Sequence, residues 1–255
     1  MSEQMNKARH FRSLHVPGKP LVLVNCWDVG SAQAIAVAGS PAIATASWAV
    51  AAANGYADGE QIPFELVVGN LARIARAVDV PVTVDLETGY GSTPDAVAAT
   101  IEHAIRAGTV GCNLEDGDLQ GGLRPAAEHA TRVKSARAAA DRLEIPFFIN
   151  ARTDTFLNSK PATHDAAMVG AAVERAHVYA EAGADCLFVP GLNEPGLIEQ
   201  LVRASPLSVN LMAGDAMPPL SVLCALGVAR LSHGPRAYLQ MMGKLTEHAR
   251  AALQA

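Results

Sequence analysis

The chain alternates between short runs of β-branched and apolar residues and longer, Ala-rich amphipathic stretches. A polar or glycine-containing turn separates each run from the stretch that follows. The runs fall at Leu21–Asn25, Pro41–Thr45, Pro81–Leu86, Val110–Leu114, Pro146–Asn150, Asp185–Val189, Leu207–Leu211 and Ala229–Ser232. They are continuously apolar rather than alternating, which predicts strands covered on both faces, as in a parallel sheet. Amphipathic stretches follow near 31–38, 64–78, 93–106, 125–143, 165–182, 194–204, 218–226 and 235–253. Thr93-Pro94 marks a helix start, a capping residue followed by proline at the first helical position. Ala38-Gly39, Ala107-Gly108 and Ala182-Gly183 mark helix ends, where glycine takes up the left-handed conformation cheaply.

Eight strand–helix units in 255 residues predict one (β/α)8 TIM barrel spanning residues 1–255. An open doubly wound sheet is the rival, but Asp28-Val29-Gly30-Ser31 is no phosphate-binding glycine fingerprint. The stretch from Ala46 to Pro63 breaks the rule of short connections, and long loops in compact barrels are often functional.

Half of the residues are apolar and 18% are charged, enough to bury a large core. The net charge of −5 is spread without runs, so no nucleic-acid surface is expected. No apolar run approaches the roughly 20 residues that cross a bilayer, and Met1–His15 lacks a signal-peptide core. A cytoplasmic location is therefore expected, without a membrane partner. The four cysteines, Cys26, Cys112, Cys186 and Cys224, show no redox or metal-ligand spacing and read as small hydrophobes.

A barrel places its chemistry just after the strands, and the unusual polar residues lie there. Asp85 and Glu87 close the third run, two apart, so on an extended strand they point the same way. Glu115 closes the fourth. Three carboxylates at a barrel mouth form an all-oxygen site suited to Mg²⁺ or Mn²⁺. A carboxylate network neutralised by Arg152 is the alternative. Arg152, after the fifth run, is placed to grip a substrate carboxylate, or else to pair with Asp154 or Glu115. Asn210 closes the seventh run, and His233, at the eighth, is a candidate acid–base group.

These residues resemble the phosphoenolpyruvate mutase/isocitrate lyase superfamily, along nearly the whole chain. The resemblance is carried by Trp27-Asp28-x-Gly30-Ser31, Gly55-Tyr56-Ala57-Asp58-Gly59, Asp85-Leu86-Glu87-Thr88-Gly89-Tyr90-Gly91, Asn113-Leu114-Glu115-Asp116 and Asn150-Ala151-Arg152-Thr153-Asp154. It implies Mg²⁺ on Asp85, Glu87 and Glu115, partly through water, and a substrate that is a 2-oxo acid or yields one. The bond broken or formed lies beside the oxo group, with an enolate stabilised by the metal. It also implies Asp58 reaching in from the second loop, Arg152 on substrate, and Trp27, Thr45, Ala46, Ser47, Asp85 and Asn210 around it. A homo-oligomer, dimer or tetramer, that exchanges the C-terminal helix is expected.

Four departures narrow the reaction. Glu87 stands where the family has a metal-binding aspartate, and Thr45-Ala46-Ser47-Trp48 replaces a Ser-Gly-Gly-like loop. The gate loop after the fourth strand, Asp116-Gly117-Asp118-Leu119-Gln120-Gly121-Gly122-Leu123-Arg124-Pro125, has neither the lyases' Lys-x-Cys-Gly-His nor the mutases' Lys-x-Asn. Val189-Pro190-Gly191 stands where lyases carry a glutamate. The expected activity is a Mg²⁺-dependent C–C lyase or decarboxylase on an oxaloacetate-like acid. The alternatives are P–C chemistry on phosphonopyruvate, or 2-oxo acid binding without turnover.

Overall fold

The computed structural model describes residues 2–119 and 121–254. Nine parallel strands form one sheet: β1 (Leu21–Leu23), β2 (Asn25–Cys26), β3 (Ile43–Thr45), β4 (Val82–Asp85), β5 (Gly111–Glu115), β6 (Phe148–Arg152), β7 (Cys186–Val189), β8 (Ser208–Met212) and β9 (Arg230–Ser232). β1 pairs with β9 and β2 pairs with β3, and Val24 alone separates β1 from β2. The two ends of the sheet are therefore halves of one strand, and the sheet closes into the expected α/β barrel.

Ten α-helices accompany it among the described residues: α1 (Ser2–Ser13), α2 (Val29–Val37), α3 (Ser47–Ala53), α4 (Phe64–Ala77), α5 (Pro94–Arg106), α6 (Ala126–Arg142), α7 (Ala166–Glu181), α8 (Pro195–Ala204), α9 (Leu220–Ala225) and α10 (Arg236–Leu253). The start signals act as predicted. Thr93 accepts a hydrogen bond from the Ala96 amide with Pro94 in the first turn, and Asp28 and Ser31 form a reciprocal cap on α2. After α7, Gly183 takes φ +98°, and an added Cβ would lie 2.9 Å from Cγ of Arg137, so both conformation and space demand glycine. Cys26, Cys112 and Cys186 are fully buried, in keeping with their reading as core residues.

Two helices were not legible. α1 forms in the polar opening segment, with Ala8 and Phe11 wholly buried on one face. Gln4 donates to the Ile105 and Thr109 carbonyls, and Arg12 pairs with Asp185, so α1 caps the N-terminal mouth of the barrel. α3 occupies the start of what reads as a long loop, a short Ala-rich turn with Ala49, Val50 and Ala51 buried. No helix among the described residues is long and apolar enough to cross a membrane.

The barrel interior is polar. Branched apolar side chains usually fill this space, yet here Asn150 donates to Asn113 (2.8 Å) and Arg230 reaches Asn113 (3.5 Å). β9 and β5 are not neighbours, so the Arg230–Asn113 contact crosses the lumen. α10 has no buried residue, and Leu239, Met241 and Leu245 on it are at least half exposed.

Candidate active site

Asp85 is the last residue of β4. Its amide donates to Thr45 Oγ1 (3.0 Å), while its Oδ2 accepts from Ser47 Oγ (2.9 Å) and the Ser47 amide (3.3 Å). Oδ1 is buried and has no partner among the described residues. Thr45 and Ser47 thus aim the carboxylate across the mouth and leave one oxygen free for a ligand. Ala46, between them, caps α3.

The expectation that Asp85 and Glu87 share a strand face is corrected by the structure. β4 ends at Asp85, and Glu87 has φ +52°, a left-handed conformation that costs a non-glycine residue about 1–3 kcal/mol. The turn is held from outside: Arg132 on α6 donates to the carbonyls of Thr88, Gly91 and Ser92. It sends the Glu87 carboxylate sideways, where Oε2 accepts from the Gly59 (2.8 Å) and Glu60 (2.7 Å) amides and Oε1 from Tyr90 (3.0 Å). Burial, then the charges of Asp58 and Asp85, push its pKa up to about 7 against these donors. Glu60 locks the same turn, its Oε1 accepting from Thr88 Oγ1 (2.6 Å) and the Tyr90 amide (2.8 Å).

Glu115 ends β5 and Arg152 ends β6, paired in register. Arg152 Nη1 lies 2.5 Å from Glu115 Oε2, while its Nε and Nη2 donate to the two oxygens of Asp154 at 2.6 and 3.0 Å. Burial raises the Glu115 pKa to about 8 despite Arg152, and Asp85, Asp154 and Glu87 add to the rise. Burial opposes charge on Arg152, but Glu115 and Asp154 outweigh it and hold the guanidinium protonated. The structure thus shows the ion-pair alternative for Arg152. Asp58, in the loop after α3, has its pKa raised by burial and by the Asp85 charge, which puts it beside the same cluster.

Other expected residues lie apart. The Trp27 ring packs edge-on against Tyr238 of α10 (5.1 Å) rather than on the carboxylates. Asn210 is wholly buried in the lumen, exchanging hydrogen bonds with Ser232. His233 follows β9; burial and Arg236 lower its pKa, and no carboxylate pairs with its ring among the described residues. The gate loop leaves from Asp116, which accepts from Arg175 (2.9 Å), Tyr179 (2.7 Å) and the Asp154 amide (3.0 Å). It returns through a bridge between Gly117 and Leu123. Gln120 within it lies outside the described residues.

Sequence reasoning missed Tyr90, Glu60, Arg132 and Arg230. Tyr90 lies inside the recognised Asp85–Gly91 motif and Glu60 adjoins the one that ends at Gly59, whereas nothing local marks Arg132, on α6, or Arg230, inside an apolar run.

Among the described residues no three acidic, His or Cys side chains converge closely enough to hold an ion. Asp85, with a free buried oxygen, suits a divalent cation. Glu115 is engaged by Arg152, and both oxygens of Glu87 already accept protein hydrogen bonds. Five carboxyl groups, Asp58, Asp85, Glu87, Glu115 and Asp154, crowd around Arg152 at the mouth, and the raised pKa values of Glu87 and Glu115 mark a site where a cation would let them ionise.

Residues 11–253 match the phosphoenolpyruvate phosphomutase family. The 2-methylisocitrate lyase of Escherichia coli K12 is 32% identical, over 81% of this chain and 73% of that one. A crystal structure from Burkholderia cenocepacia, provisionally described as a phosphonomutase, superposes with a TM-score of 0.96 at 52% identity, covering 98% of this chain and 99% of that one. Phosphonopyruvate hydrolase, solved with oxalate and Mg²⁺, shares the fold, with a TM-score of 0.84 at 22% identity over 97% and 87% of the two chains. A barrel closed by parallel strands, an acidic mouth at their C-terminal ends and a family match from Phe11 to Leu253 lead to one conclusion: the chain belongs to the phosphoenolpyruvate mutase/isocitrate lyase superfamily of lyases and mutases.

Proposed function

We propose that the chain is a Mg²⁺-dependent lyase that cleaves or decarboxylates a small, oxaloacetate-like 2-oxo acid. The observation that carries this reading is Asp85, positioned by Thr45 and Ser47, with a buried oxygen left unpaired in a mouth of excess negative charge. Asp85 would hold the ion, with Glu115 direct and Glu87 through water, and Mg²⁺ there would stabilise enolate charge beside the oxo group. Arg152 orients the substrate carboxylate, exchanging its hold on Glu115 for the ligand while Asp154 keeps the guanidinium in place. Asp58, protonated more readily than an ordinary aspartate, is a group able to pass a proton at the mouth. The gate loop supplies no Lys, Cys or His, which argues against isocitrate-type cleavage.

A second reading, P–C chemistry on phosphonopyruvate, is favoured by the 52% identity to the Burkholderia protein described as a phosphonomutase. An assay of oxaloacetate, substituted malates and phosphonopyruvate with Mg²⁺ separates the two. Metal-dependent release of pyruvate or a homologous 2-oxo acid from oxaloacetate or a substituted malate supports the lyase, whereas phosphate release from phosphonopyruvate, or its rearrangement, supports the second. Absence of both reactions rejects catalysis.

The exposed apolar face of α10 supports assembly. Met241 and Leu245 line an apolar groove of about 830 Å³ against Val22, Trp27 and Ile35. A second copy of the chain, exchanging α10, would cover this face.

A further inference from the structure

Arg230 opens β9 and is fully buried, the largest wholly buried side chain among the described residues. Its Nε donates to Ser232 Oγ (3.0 Å) and its Nη2 lies 3.5 Å from Asn113 Oδ1, but Nη1 has no partner. None of the ion pairs among the described residues includes it. A buried guanidinium without a carboxylate is costly, so something must satisfy it.

Three other unpartnered buried atoms lie on the two strands that flank β5: Asp85 Oδ1 and Thr83 Oγ1 on β4, and Asn150 Oδ1 on β6. Asp85 pairs in register with Asn113, and Asn113 contacts both Asn150 and Arg230. The set holds one donor, Arg230, two acceptors, Asp85 and Asn150, and a hydroxyl that does both. A cation there would face the guanidinium, and an anion would face Asp85. Water alone suits all four. Asp85 lies within electrostatic reach of Arg230: burial pulls the Arg230 pKa down to about 10, while Cys186, Asp85 and Cys112 work the other way.

We propose that Arg230 is a positioning residue, a buried counter-charge beneath the site that acts on Asp85 through ordered water and admits an anionic ligand to an acidic mouth. The proposal rests on the Mg²⁺ and 2-oxo acid reading above. The mouth carries more carboxylates than cations even with Mg²⁺ present, and a further positive charge under the floor offsets what would repel a 2-oxo acid. A counter-charge acts oppositely on the two ligands: it favours the anion and disfavours the metal. A merely structural residue would favour both.

The test is calorimetric titration of wild type, R230M and R230K with Mg²⁺ alone, then with oxalate at saturating Mg²⁺. The expected R230M result is oxalate affinity down about tenfold, with Mg²⁺ affinity undiminished, as expected for one charge removed at short range in a partly screened site. R230K, which keeps the charge, should stay within about threefold of wild type. Unchanged oxalate affinity in R230M overturns the proposal, as does a parallel loss of both ligands or an R230K as weak as R230M. A high-resolution crystal structure of the ligand-free wild type decides the matter even if R230M does not fold. Ordered water joining Arg230 to Asp85 is expected, and a dry lumen overturns the inference. Wild type that binds neither Mg²⁺ nor oxalate rejects the functional reading, a result separate from the water in the lumen.

Discussion

Arg152 holds Asp154 through two parallel hydrogen bonds, at 2.6 and 3.0 Å, and reaches Glu115 at 2.5 Å with its third nitrogen. One guanidinium thus satisfies two buried carboxylates, and removing it strands both. R152M should lower folding stability by about 3 kcal/mol in urea unfolding, the usual result of leaving one side of a buried pair uncompensated. The double variant R152M/E115Q should recover part of that loss. Equal stability of the single and double variants would show that Glu115 does not depend on Arg152.

Asp85 and Glu87 differ in what their oxygens already do. Asp85 keeps a buried oxygen free, whereas both oxygens of Glu87 accept protein hydrogen bonds. D85A should therefore abolish the heat of Mg²⁺–oxalate binding. E87Q should weaken it by about ten- to a hundredfold, the scale of effect when an outer partner of a metal site is changed. Loss of binding in E87Q as complete as in D85A would mean that Glu87 turns to touch the metal itself.

His129 sets an acid limit on stability. It is fully buried on α6 with neither ring nitrogen bonded, and burial, against the pull of Asp116, lowers its pKa from 6.5 to about 4. Between those values the unfolded chain binds a proton that the folded protein refuses. Stability from this group is thus complete above pH 6.5 and falls as the solution is acidified toward pH 4. H129F lacks this liability. In urea unfolding at pH 7.5 and pH 5, wild type should lose about 2 kcal/mol relative to H129F. A pH-independent difference would show that the ring is not held neutral.

α10 should assemble copies of the chain. L245D places a charge on the bare apolar face and should shift the protein toward monomer in light scattering, by tenfold or more in dissociation constant. A wild type that is already monomeric would reject the exchange of α10.

Most of the barrel was legible because each strand is a continuous apolar run and several helix ends carry a cap or an Ala-Gly pair, as Thr93 and Gly183 do. α1 escaped because its burial depends on Ala8 and Phe11 plugging a mouth made by distant strands, which no local periodicity reports. The positions of Asp85, Glu115 and Arg152 followed from strand ends. The orientation of Glu87 did not, because φ +52° is imposed by Arg132 and Glu60 from elsewhere in the fold. Arg230 hid inside a run of apolar residues, its partners all on other strands or beyond its own neighbour.

The break at Val24 has a consequence for how the chain becomes a protein. Joining Leu21 to Arg230 ties its beginning to its end, so the sheet keeps two bare edges until the last strand arrives. A nascent chain emerging in order would carry those edges until Arg230–Ser232 has been made, exposed to strand addition by other chains. Once the seam shuts, no edge remains. The hazard belongs to the interval before closure and vanishes in the finished molecule.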